Sequence, residues 1–154
     1  MSKRKVVVTG MGMLTPLGVD LESSWQGLTA GQSGIAPIQS FDTADYSVRF
    51  GGHVPEFDIS EYLPPKEARR MDGFMQFGLV AGIQAMRDSG LEVSDENRDR
   101  IGVAVGSGIG GIVTIETCHD VVNNRGPSKV SPFFVPSCII NMIAGHLSIM
   151  YGLQ

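Results

Sequence analysis

The sequence has only two cysteines, Cys118 and Cys138, and they form no Cys-x-x-Cys pair. No signal-like apolar core follows Met1-Ser2-Lys3-Arg4, and with so few cysteines this predicts a reducing, cytoplasmic setting rather than a disulfide scaffold. There is no serine nucleophile elbow, zinc-protease motif or phosphate-binding P-loop, and no internal repeat. Positive charge is not in excess: the formal net charge is −4 with a pI near 5.3, so the overall field favours neither nucleic acid nor acidic membranes. Any anionic partner must meet a local basic patch. A membrane span is also missing. The least polar stretch, residues 131–152, contains no Asp, Glu, Lys or Arg, but the helix it predicts is shorter than the about 20 apolar residues a bilayer requires.

What is present suits one folded domain. The 42% apolar content supports a core, and the 20 glycines cluster beside apolar runs, as in tight strand-to-helix turns of an α/β fold. Lys5-Val-Val-Val-Thr-Gly10 and Ile101-Gly-Val-Ala-Val-Gly106 read as buried strands. Asp20 caps a short helix carrying Leu21, Trp25 and Leu28 and closing near Gly31. Arg49-Phe-Gly-Gly-His-Val54 reads as a strand, with His53 a structural polar residue because no second ligand is spaced to make a metal site with it. Pro64-Pro65 opens the longest predicted helix, which runs to about Ser89 and ends at Gly90. Its apolar arc includes Ala68, Met71, Met75, Leu79, Gly82 and Met86.

In residues 131–152, Pro132 and Pro136 make an extended lead-in, Ser137 is the expected N-cap and Gly152 the expected helix end. The helix between them is apolar on nearly all sides and calls for burial on every face.

Several residues could carry chemistry. Gly106-Ser-Gly-Ile-Gly-Gly111 is a literal G-x-G-x-x-G between a strand and a predicted helix reaching about Val122. A dinucleotide loop would want an acidic residue about 20 positions on, at the end of a second strand; that distance lands in Arg125-Gly-Pro-Ser128. Close backbone packing around a pocket is therefore the preferred reading. The same preference holds at Gly10 and Gly12, where Thr15 replaces the third glycine. Cys118, His119 and Asp120 are neighbours on one helix, and such side chains diverge rather than face each other. Cys138, just inside a predicted helix N-terminus, is the best thiolate candidate, set against a small buried hydrophobe; His146 is two turns away, out of reach as its base. Lys66, Arg69 and Arg70 fall at i, i+3 and i+4 on the first turns of the long predicted helix, where cations oppose the macrodipole. They read equally as a docking patch for an acidic partner or as a solvated face.

Taken together, several motifs carry a resemblance. Val6-Val-Val-Thr-Gly-Met-Gly-Met-Leu-Thr-Pro-Leu-Gly18, Gly31-Gln-Ser-Gly-Ile35, Arg70-Met-Asp72, Gly106-Ser-Gly-Ile-Gly-Gly111, Ser131-Pro-Phe-Phe-Val-Pro-Ser137 and Asn141-Met-Ile-Ala-Gly-His146 resemble the β-ketoacyl-acyl-carrier-protein synthases, nearest to the bacterial elongating members. The resemblance spans the whole chain. It implies a thiolase-like α/β fold, of which residues 1–154 are the N-terminal segment of the first half, and a cytoplasmic homodimer. The implied reaction is a decarboxylative Claisen condensation of malonyl and acyl thioesters on acyl carrier protein, with no cofactor or metal and with neither nucleic acid nor membrane as partner.

The family's catalytic cysteine and histidines fall beyond Gln154, so no catalytic residue is expected in this chain. Close family members carry threonine at the position of Cys138, which implies core packing there. Ile109, with Gly108 beside it, matches the position that gates the acyl pocket. Phe133 and Phe134 match residues near the pocket and the dimer interface, and the helix after them is expected to be buried against the partner subunit. Lys66, Arg69 and Arg70 match carrier-docking positions, as does Lys129, although Ser128 stands where a close relative has arginine, so that the contact there is expected to be weaker or borrowed from Arg125. The competing expectation is a carrier-binding scaffold, or truncated fragment, that performs no chemistry.

Overall fold

The computed structural model describes residues 3–153. Its centre is the helix α3, Gly73–Ser89, whose Met75, Leu79, Val80 and Ile83 are almost wholly buried. Across it lies α6, Met142–Tyr151. Ile143 and Leu147, one helical turn apart, sit directly on Gly78 and Gly82 of α3, so the missing side chains on one helix admit the large ones of the other. Leu63 and Ala68 complete this cluster. Both helices end at a left-handed glycine, Gly90 and Gly152, as their sequences predict.

The remaining helices are α1 (Leu21–Thr29), the single turn α2 (Pro65–Ala68), α4 (Ile112–Arg125) and α5 (Phe134–Cys138). Asp20 caps α1 by accepting from the Ser23 hydroxyl at 2.6 Å and the Ser23 N–H at 2.7 Å. These two bonds, the hydroxyl first, hold its carboxyl below the ordinary carboxylate range, so the cap persists at neutral pH and is lost only as pH falls through that lowered pKa. Two short strands, β1 (Ile35–Pro37) and β2 (Phe50–Gly52), pair antiparallel with Ala36 opposite Gly51.

The structure corrects the expected long helix from Pro65 to Ser89. It is broken at residues 69–72, because Asp72 takes an extended conformation and its side chain accepts from Phe74 N–H as the N-cap of α3. Lys66 therefore lies in the last turn of α2 and Arg69 is its C-cap. Cations are favoured at that end, so the unfavourable dipole argument for an acidic partner does not apply.

The stretch 131–152 is likewise two helices. Ile139 is extended and separates α5 from α6. Ser137 is inside α5, where its hydroxyl donates to Phe134 C=O at 2.8 Å, and Pro136 occupies the first turn, where no N–H is needed. Burial is one-sided: Ile143 and Leu147 are covered while Ile149 is 79% exposed.

The two expected buried strands form no ladder among the described residues. Residues 101–106 alternate between half-buried and exposed, with Val103 and Val105 packed on the core cluster, so they keep the period of a strand that covers one face. Val6 is 95% exposed. A buried parallel strand needs partners along its edges and on both faces, and the described residues supply only one face. Trp25 and Leu28 of α1 also remain exposed, lining a groove with Met13 and Leu17.

The segment after residues 5–9 is held firmly. Met11 N–H donates to Asp88 at 2.8 Å and Met13 N–H to Gln84 Oε1 at 3.0 Å, while Gln84 Nε2 donates to Val19 C=O at 2.8 Å. Gly10 and Gly12 lie against the backbone of α3 at Ala85 and Ala81. This is the close backbone approach preferred over a nucleotide loop.

Candidate functional site

Four of the expected site residues, Arg70, Phe133, Phe134 and Lys129, lie around α5. Arg70 places its guanidinium over the Phe133 ring, 4.3 Å from the centroid, a cation–π contact between the basic cluster and the residue that opens α5. Phe133 N–H donates to Ser131 Oγ at 3.1 Å and Phe134 N–H to Ser131 C=O, which fixes the turn that presents both rings. Phe134 points into a cavity of about 170 Å³ between α4 and α5, shared with Thr114, Cys118, Val121 and Lys129. Lys129 belongs to a short 3-10 turn, Pro127–Lys129, against α4. The structure thus brings Arg70, Phe133, Phe134 and Lys129 together, although sequence separates them by up to about 60 positions.

Lys66, Arg69, Arg70 and Lys129 are all exposed. Among the described residues the ion pairs are those of Arg98 with Asp95 and Asp99 and of His119 with Asp120, so none of the four cations is neutralised by a carboxylate of those residues. They form an available positive surface on a chain of net negative charge.

Ile109 is separate from that cavity. It projects from the glycine loop and is 69% exposed. Gly106 and Gly108 have nothing within 4 Å of where a side chain would start, whereas Gly110 and Gly111 press against the backbone of Cys138, to which Gly111 N–H donates at 3.0 Å. Backbone packing accounts for the second half of the loop and leaves the first half open.

Cys138 is the last residue of α5, not the first of a helix. It is half-buried, with Sγ near Val135 C=O at 3.5 Å. Cys118 is half-buried on the cavity wall, while its neighbours His119 and Asp120 are exposed. His53 is exposed at the end of β2. No group of three metal-ligating side chains occurs among the described residues. Sequence reasoning passed over Asp72 as a cap, although an Asp followed by glycine at the head of an apolar helix is a recognisable N-cap signal.

A family model described as the N-terminal domain of beta-ketoacyl synthases matches residues 3–154. The chain belongs to the β-ketoacyl synthase family. It is 63% identical over 154 residues to 3-oxoacyl-[acyl-carrier-protein] synthase 2 of Vibrio cholerae and 46% identical to the protein of that name from Coxiella burnetii, covering all of this chain and 37% of each relative. The chain therefore spans little more than a third of the length of these relatives. Among solved structures, a type II polyketide ketosynthase in complex with its acyl-carrier protein is similar with a TM-score of 0.76 at 26% identity, over 96% of this chain and 40% of that one. The ishigamide ketosynthase/chain length factor reaches 0.82 at 23% identity, over 99% and 38%. These likenesses show the ketosynthase, thiolase-like fold in its N-terminal part. No helix among the described residues is long and apolar enough to cross a membrane.

Proposed function

We propose that these residues are the N-terminal part of a 3-oxoacyl-acyl-carrier-protein synthase that elongates fatty acids in the cytoplasm as a homodimer, condensing malonyl-carrier protein with an acyl thioester. The observation that carries the reading is the contact of Arg70 with Phe133: an unneutralised cationic surface, suited to an acidic carrier protein, adjoins the aromatic pair beside the cavity on α5. The solved ketosynthase seen with its acyl-carrier protein supports a carrier as the partner. Lys66, Arg69, Arg70 and Lys129 dock it. Phe133 and Phe134 line the acyl path, and Ile109 with Gly108 gates it. The exposed Ile139, Ile140 and Ile149 give the partner subunit an apolar surface to cover.

Ile109→Phe in the full-length enzyme tests the gate. The added ring narrows the acyl path, so long acyl thioesters lose about tenfold or more in kcat/KM while short primers remain usable. Steady-state rates across a series of acyl-carrier thioesters read the change, and an unaltered chain-length profile contradicts the assignment.

A further inference from the structure

We propose that Asp72 is a positioning residue for the Ile109 loop, acting as one carboxylate that caps two helices and pins the loop between them. The inference rests on the reading that Ile109 gates the acyl chain.

The geometry begins with α4, whose N-cap is Gly111 and therefore brings no side chain to satisfy the first-turn N–H groups. Asp72 supplies it from 42 positions away: its Oδ2 accepts from Thr114 N–H at 2.9 Å. Its Oδ1 accepts from Phe74 N–H at 3.3 Å, capping α3. The main chain of the same residue donates to Ser137 C=O of α5 at 3.3 Å. One residue thus joins the starts of two helices and the end of a third. Glycine at 111 permits this, since a Cβ there would lie 2.7 Å from Cys138 Cα and 3.1 Å from Asp72 Oδ2.

The consequence falls on Ile109. Gly111 is clamped between Asp72 and Cys138, Gly110 lies against Cys138 C=O and Ile140, and Gly110 N–H donates to Ser107 Oγ at 3.1 Å. Gly106 and Gly108 have open space beside them, so the packing that holds the loop against α5 lies on the C-terminal side of Ile109. A carboxylate is the side chain that fits, because each of its two oxygens takes a different N–H donor. Asparagine offers one acceptor oxygen. As good an N-cap as aspartate, it keeps the local bond to Phe74 and turns its amide N–H₂ toward the Thr114 N–H.

Asp72→Asn in the full-length enzyme should therefore preserve α3 and release the loop. The readout is the ratio of kcat/KM for a short to a long acyl-carrier thioester, which a merely structural loss of folded enzyme would not move. We expect that ratio to change by about three- to tenfold, the scale of one lost hydrogen bond of ordinary strength. Gly111→Ala reaches the same end with Asp72 intact, by pushing the loop off the carboxylate, and carries the test if Asp72→Asn does not fold. Asp20→Asn, the equivalent change at a cap remote from the loop, should leave the ratio unchanged. A wild-type ratio in both Asp72→Asn and Gly111→Ala, with Ile109→Phe shifting it, overturns the role of Asp72 and leaves the gate standing. A wild-type ratio in Ile109→Phe overturns the gate itself.

Discussion

Reversing Lys66 and Arg69 to glutamate together in the full-length enzyme should weaken carrier-protein binding by about ten- to a hundredfold. An exposed ion pair contributes about 0.2–1 kcal/mol, and charge reversal replaces each attraction with a repulsion of similar size, so two reversals fall on the order of 1–4 kcal/mol. The estimate applies because both side chains are exposed and free of intrachain carboxylates among the described residues. The loss should be largest at low salt, where the Debye length of about 30 Å at 0.01 M leaves the patch unscreened, and small at 1 M. Titration of carrier protein at two ionic strengths measures both. Equal affinity of variant and wild type at low salt would remove Lys66 and Arg69 from the interface.

Gly12→Ala should be the most damaging single methyl in the described part of the chain. The new carbon would collide with Ala81 C=O and stand 2.7 Å from Ala85 N, both backbone atoms of the central helix that no rotamer change can move aside. The segment would have to lift from α3, breaking the bonds from Met11 N–H to Asp88 and from Met13 N–H to Gln84. Overpacking costs about 1–3 kcal/mol and the lost bonds add about 1 kcal/mol each. Gly73→Ala provides the contrast: nothing lies within 4 Å of its added carbon, and removing a helical glycine is neutral or stabilising by up to about 1 kcal/mol. Thermal unfolding of the two full-length variants should show a lowered midpoint for Gly12→Ala and an unchanged or raised one for Gly73→Ala, and an unchanged midpoint for Gly12→Ala would contradict the packing described for α3.

Local chemistry accounts for what could be read ahead of the structure. Asp20, Gly90 and Gly152 mark helix ends because their side chains, or the lack of one, act within a single turn. The breaks were hidden for an equally local reason. The apolar spacing of Ala68, Met71 and Met75 runs through Asp72 without interruption, so periodicity reports one helix where a cap has already ended it. In residues 131–152 there are no charges to define a polar face, so nothing in the pattern separates α5 from α6. The strands failed differently. An apolar run such as residues 5–10 is a strand only when neighbours accept its hydrogen bonds, and that depends on chain far away in sequence. The site divides in the same way: the cations and aromatic rings are visible singly, but the stacking of Arg70 on Phe133 and the bond from Thr114 to Asp72 exist only once the helices pack.

The most direct measurement is the product formed when purified full-length enzyme is given an acyl-carrier thioester and malonyl-carrier protein. Release of carbon dioxide together with a 3-oxoacyl-carrier product two carbons longer than the acyl donor is the predicted result. Tight carrier binding with no decarboxylation and no lengthened product would contradict it, and would leave the protein a carrier-binding scaffold.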